Sequence, residues 1–290
     1  MAKCQKAKPA LALLLCIATC VPILWGCQAS TQHAQMTPLT VSLLKVGKAD
    51  AIVLATEGHA MVIDAGEEDD GDELVAFLKE QGIQRVDTLV ITHFDRDHVG
   101  GADTLVEEME IGQVLLPAYQ GSSTDYLDFM EAMKQKGLNA QELSAPLEFQ
   151  WMQTTVLVEP PLSYERSDTA AEMDNNFSLI TTVVHGDNRL LFAGDAEKQR
   201  IRQWVSGGTG QACDFLKMPH HGVYNKALDE LLDAVAPQYA VICSSNKHPA
   251  DAQTLELLKQ KEIAAYQTKD GNVTVISNGS RLELHQELKQ

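Results

Sequence analysis

Thr92-His93-Phe94-Asp95-Arg96-Asp97-His98-Val99-Gly100-Gly101 places two histidines and two carboxylates within six residues. The run before it, Val86-Asp87-Thr88-Leu89-Val90-Ile91, is apolar and β-branched and predicts a buried strand. The glycine pair after it opens a segment of helical spacing, Ala102 to Met109. The four polar groups therefore belong to the loop leaving a strand, where α/β layers place their sites. Imidazole nitrogens and carboxylate oxygens converging from a short loop suit a hard or borderline cation. A polar turn capping a helix accounts for one such residue, but not for His-x-Asp-x-Asp-His.

Working outward, more groups of this kind end predicted strands. Leu39 to Val46, Ala51 to Ala55 and Ala60 to Ile63 read as an antiparallel meander that runs into Asp64-Ala65-Gly66. Leu179 to Val184 and Arg189 to Ala193 form a hairpin through His185-Gly186-Asp187-Asn188, and the second strand ends in Gly194-Asp195. The strand Phe215 to Met218 ends in Pro219-His220-His221-Gly222. His185 is assigned to its turn and given no role. Glu159 to Asn176 is a long polar loop, a length often functional in a compact domain. Strands come first, then strands alternate with helices, and the pattern partly repeats. An α/β architecture of two sheets face to face with helices outside is expected.

The chain has 290 residues and a formal charge of −17. The cations among residues 1–26 are Lys3, Lys6 and Lys8, so the remainder is more acidic still. That field works against loose binding to nucleic acid. Those lysines, the apolar stretch Ala10 to Leu24 and Leu24-Trp25-Gly26-Cys27 fit a lipoprotein signal cleaved before a lipid-bearing Cys27, or else an uncleaved anchor. The expected organisation is a signal over 1–26, a tether over 27–38 and one domain over 39–290, outside the cytoplasm and on the membrane. Cys213 and Cys243 are left either paired or free.

Taken together, Asp64-Ala65-Gly66, His93-x-Asp95-x-Asp97-His98, Gly194-Asp195 and His220-His221-Gly222 resemble the metallo-β-lactamase fold hydrolases. Val46-Gly47-Lys48-Ala49-Asp50-Ala51, Asn175-Asn176-Phe177-Ser178-Leu179, Leu216-Lys217-x-Pro219-His220-His221-Gly222, His248-Pro249 and Thr268-x-Asp270-Gly271 narrow the likeness to the hydrolase domain of ComEC-type competence proteins. The resemblance implies an αββα sandwich with two divalent metal ions, zinc or manganese, at the sheet rim. It implies that His93 and Asp95 hold one ion, that Asp97, His98 and His220 hold the other, and that Asp195 bridges them. His220 is favoured over His221 because it lies nearer the strand end. Asp64 is expected behind a ligand histidine, and Asn176, His221 and His248 behind the ligands or toward substrate. Asp174, Asn175 or Asn176 stands where the family carries a further histidine.

Asp95, where β-lactam hydrolases usually carry histidine, makes the donor set harder. Two such ions bring a shared water toward ionisation near neutral pH, with Asp97 orienting it or passing a proton to the leaving group. The expected activity is that of a lipid-anchored phosphodiesterase acting on a small or polymeric phosphoester, with nucleic acid disfavoured by charge. A lactone, lactam or thioester hydrolase and a binding lipoprotein with a degenerate site are the alternatives. Lys217, Lys247 or His248 could add positive charge near the phosphate, with solvated surface the favoured reading for the two lysines.

Overall fold

In the computed structural model the described residues are 1–2, 36–163, 173–208 and 210–287. The first half builds one sheet. Strands β1 (Leu39–Leu43), β2 (Ala51–Thr56) and β3 (His59–Ala65) form an antiparallel meander, as their spacing predicts. Helix α1 (Gly71–Glu80) then crosses to β4 (Arg85–Val90), which pairs parallel with β3. The short α2 (Arg96–Val99) and α3 (Ala102–Glu108) lead to β5 (Glu110–Pro117), and α4 (Thr124–Gln135) leads to β6 (Ala140–Leu143), each new strand again parallel.

The second half builds the other sheet. It begins with β7 (Leu147–Trp151) and β8 (Thr154–Glu159), passes a short α5 (Met173–Asn176), and continues with β9 (Ile180–His185) and β10 (Asn188–Phe192), all antiparallel. Helix α6 (Lys198–Ser206), β11 (Phe215–Lys217), α7 (Ala227–Val235), β12 (Tyr239–Ile242), α8 (Ala252–Gln260) and β13 (Ala264–Gln267) follow as parallel crossovers. Finally β14 (Val273–Ser277) and β15 (Leu282–Gln286) return to the first sheet beside β1. The sheet orders are β15-β14-β1-β2-β3-β4-β5-β6 and β13-β12-β11-β10-β9-β8-β7.

Strand alternation sorts the core into three layers. Val41, Ile52, Leu54, Met61, Ile63 and Val90 of the first sheet meet Val156, Val183, Phe192, Phe215 and Val241 of the second. On the outer face of the first sheet, Val53, Val62 and Leu89 pack against Leu74, Leu78, Leu105 and Phe129 of the helices. On the outer face of the second, Leu191, Leu216 and Ala240 pack against Ile201, Trp204, Leu228 and Leu232. This is the expected αββα sandwich. Most strands are thus buried on both faces, which explains their continuous apolar runs.

Three sequence expectations meet the structure differently. His185 ends β9 rather than lying in the turn, and its buried Nδ1 sits 2.7 Å from Ser277 Oγ of the facing sheet. The long loop is described only at its ends; residues 164–172 lie outside the described residues, as do residues 3–35, which hold Cys27 and nearly all of the expected signal segment. Cys213 and Cys243 are free thiols, both buried. No helix among the described residues is long and apolar enough to cross a membrane.

Candidate metal centre

The exits of β3, β4, β10 and β11 bring the carboxylates and histidines together. Asp64 ends β3 in a left-handed conformation, φ 59°, which an L-residue adopts at a cost and which turns its side chain under the loop after β4. Asp64 Oδ1 accepts the Thr92 N–H at 2.7 Å, and Oδ2 accepts the Thr92 hydroxyl at 2.7 Å. Oδ2 also lies 2.7 Å from His98 Nδ1. An acceptor there holds the proton on Nδ1 and leaves Nε2 with a lone pair. The glycine pair permits this packing. A Cβ on Gly101 would stand 2.6 Å from the Ala65 carbonyl oxygen, and one on Gly100 would stand 2.5 Å from the Glu68 nitrogen.

Donor atoms of Asp97, His98, Asp195 and His221 all lie within 4.8 Å of one another. Asp195 Oδ2 is 3.3 Å from His98 Nε2 and 3.0 Å from His221 Nε2, and Asp97 Oδ2 is 3.4 Å from His221 Nε2. His221 Nδ1 donates to the Cys243 carbonyl at 3.1 Å, which again frees Nε2. The Nε2 atoms of His93, His98 and His221 are buried and make no hydrogen bond among the described residues. Buried imidazole nitrogens without partners, aimed at carboxylates, are the donor set a divalent cation completes, so the residues fit a metal ion. The electrostatics agree. Burial works to lower the His98 and His221 pKa values, yet Asp195 and the other carboxylates raise both above the ordinary value. Burial works to raise the Asp97 and Asp195 carboxyls, yet His221 and His98 bring both below theirs. The cluster draws in positive charge.

The backbone bears on the choice between the adjacent histidines. His220 (φ 46°), His221 (φ 50°) and Gly222 (φ 76°) are all left-handed, a kink that reverses the order expected from the strand end. It turns His221 into the cluster and places His220 Nδ1 3.2 Å from Glu197 Oε1, outside it. The glycine after the pair was the available signal.

His93 and Asp95 approach each other, Nε2 to Oδ2 at 3.6 Å, but join no group of three donors among the described residues. Asp95 is 43% exposed at its side chain, and it also starts α2, its carbonyl accepting the His98 and Val99 N–H groups. Where a further histidine is absent, Asn175 Nδ2 donates to Glu197 at 2.8 Å and Asn176 Oδ1 accepts the Arg200 N–H at 3.0 Å. His248 is exposed and lines a cleft of about 560 Å³ beside Asp97, together with Lys48, Arg96 and Lys247.

Lys217, read as surface from the sequence, is fully buried. It shares the β11 face of Phe215, which points between the sheets, so period-two alternation carried the signal. Its ammonium pairs closely with Asp50, donates to the Gly194 carbonyl at 3.1 Å and lies 3.5 Å from Asp195 Oδ1. Asp50 itself, buried on the loop between β1 and β2, had no role assigned from sequence. Its N–H donates to the Asp97 carbonyl at 3.0 Å, and its carbonyl accepts the Gly66 N–H at 2.8 Å. Lys48, on the same loop, reaches Asp97 Oδ2 at 3.0 Å.

The family described as the Metallo-beta-lactamase superfamily matches residues 44–245. ComE operon protein 3 of Bacillus subtilis (strain 168) is 27% identical over 207 residues, 70% of this chain and 26% of that protein. Recombination protein 2 of Haemophilus influenzae is 26% identical over 258 residues, 85% of this chain and 30% of that protein. The chain thus spans between a quarter and a third of these relatives' length. Among solved structures, the metallo-beta-lactamase fold protein YhfI from Bacillus subtilis superposes with a TM-score of 0.55 at 7% identity, covering 86% of this chain and 100% of that one. This last likeness bears on the fold alone.

Proposed function

We propose that this chain, which belongs to the metallo-beta-lactamase superfamily, is a metal-dependent hydrolase of phosphodiesters, held at the outer face of a membrane by a lipid on Cys27. Asp97, His98, Asp195 and His221 are its main ion site, and His93 with Asp95 is a second, weaker one. A bound zinc or manganese ion supplies Lewis acidity and lowers the pKa of water.

The chain's own residues do the rest. Asp64 and the Cys243 carbonyl hold His98 and His221 with Nε2 exposed to the ion. Asp97 borders both the cluster and the cleft. As a carboxylate at neutral pH, it accepts and orients a proton of the attacking water rather than storing one.

The observation that carries the choice of phosphodiester is the cleft at Asp97. Lys48, Arg96, Lys247 and His248 line it beside the carboxylates of Glu67, Asp69, Asp70 and Asp97. Its carboxylates are partly occupied: Glu67 pairs with Arg96 at 3.3 Å, and Asp70 accepts the Glu67 N–H at 2.8 Å. Cations beside a carboxylate-rich metal site suit the oxygens of a phosphodiester, which both kinds of charge can bind. The net charge of −17 favours a small or wall-linked phosphoester over nucleic acid.

The test is turnover of bis(p-nitrophenyl) phosphate and of nucleic acid by the chain loaded with zinc or manganese, with Lys48→Ala alongside. The account expects cleavage of the small diester and a raised KM in Lys48→Ala. Cleavage of a lactone or β-lactam with no diester turned over would replace the reading.

A further inference from the structure

Reading Asp97, His98, Asp195 and His221 as a metal site leaves Lys217 without a part. It is fully buried, and its ammonium has three oxygen neighbours: Asp50 Oδ2, the Gly194 carbonyl at 3.1 Å and Asp195 Oδ1 at 3.5 Å. The Asp195 carboxylate is thereby divided. Oδ1 faces Lys217, while Oδ2 faces His98 Nε2 and His221 Nε2. The Asp50 backbone is tied to Asp97 on one side and Gly66 on the other, and its side chain is buried. Asp50, Asp64 and His98 also form a second group of donors within 4.8 Å of one another, and the ammonium rests against the Asp50 oxygen of that group.

We propose that Lys217 is a positioning residue acting as a permanent internal cation. It holds Asp195 with Oδ2 turned to the ion site, and it fills an oxygen-lined hole that would otherwise take a further divalent ion. The proposal rests on the metal-binding reading of the cluster.

Two carboxylate oxygens and a carbonyl oxygen are donors that hard cations choose. A lysine ammonium satisfies the same three oxygens with its three N–H donors, carries a single charge and cannot dissociate. The charges also balance. Asp50, Asp64, Asp97 and Asp195 face Lys217 and Lys48, which leaves the charge that one divalent ion cancels. With Lys217 removed, a buried carboxylate pair stands uncompensated, which a protein interior tolerates poorly.

The experiment strips the full chain with a chelator, titrates it with Mn²⁺, counts bound metal by elemental analysis and follows thermal melting in parallel. Lys217→Ala is expected to bind about one equivalent more than the unaltered chain, to melt lower when metal-free and to recover on adding Mn²⁺. Asp50→Asn/Lys217→Ala removes both partners and is expected to return to the unaltered count. Equal, non-zero counts in Lys217→Ala and the unaltered chain overturn the role of Lys217 alone. No manganese in either overturns the metal site beneath it as well. Should Lys217→Ala fold neither with nor without Mn²⁺, Asp50→Asn decides. There the ammonium is left with Asp195 and competes for it, so Mn²⁺ should bind about 10- to 100-fold more weakly. Unchanged affinity in Asp50→Asn overturns the proposal.

Discussion

Asp64 Oδ2 lies 2.7 Å from His98 Nδ1, with both side chains fully buried. The same carboxylate takes both donors of Thr92, so the imidazole is oriented before any ion arrives. Asp64→Asn keeps the shape but offers an N–H where His98 needs an acceptor, which favours the wrong tautomer. Metal affinity should fall about 10- to 100-fold, as for other residues that orient ligand histidines. Competition titration against a chelating dye measures it, and an unchanged affinity would remove Asp64 from the site.

The two adjacent histidines should separate cleanly. His221→Ala takes a donor from the four-residue cluster and is expected to lose the bound ion. His220→Ala removes a partner of Glu197 and should leave metal content unaltered. Metal counting on both variants checks this, and the opposite ranking would restore His220 as the ligand.

Much of this centre was legible before folding. Asp97, His98 and Asp195 came from their positions after predicted strands, and the sandwich came from the order of elements. What escaped was set by backbone kinks and by facing. The left-handed run at His220 and His221 exchanges their directions, which no periodicity encodes. The charge of Lys217 argues for surface, since charged residues are usually exposed, while its alternation with Phe215 points inward. Asp50 escaped because its partners are distant in sequence: Lys217 and His221 come from the facing sheet, and Asp97 from the loop after β4.

Asp70, on the turn before α1, supplies a pH dependence. Burial raises its carboxyl from 3.8 to about 6, so the folded chain binds a proton there that the unfolded chain releases. Stability should therefore decline as pH rises from about 4 to about 6, because the folded state is then forced to carry a poorly solvated charge. Asp70→Asn removes that dependence. It should be more stable than the unaltered chain at pH 7 by about 1 kcal/mol, after allowing for solvent screening, and no more stable at pH 4. Urea melts at the two pH values measure it, and a pH-independent difference would contradict the assignment.

The two thiols should be inert while the fold holds. Burial, then Asp214, pushes Cys213 up to about 12, and burial, then Asp50, pushes Cys243 well above its ordinary value. Neither presents a thiolate near neutral pH. Iodoacetamide labelling followed by peptide mass mapping should leave both unmodified in the native chain and alkylate both in guanidinium. Native labelling at either would show that the segment around it opens.

Metal-dependent turnover by the four-residue cluster is the central expectation. The measurement is hydrolysis of bis(p-nitrophenyl) phosphate by the chelator-stripped chain as manganese or zinc is added, beside His98→Ala. The account predicts no turnover without metal, turnover that saturates with metal, and none in His98→Ala at any metal concentration. Equal turnover in His98→Ala and the unaltered chain would contradict it.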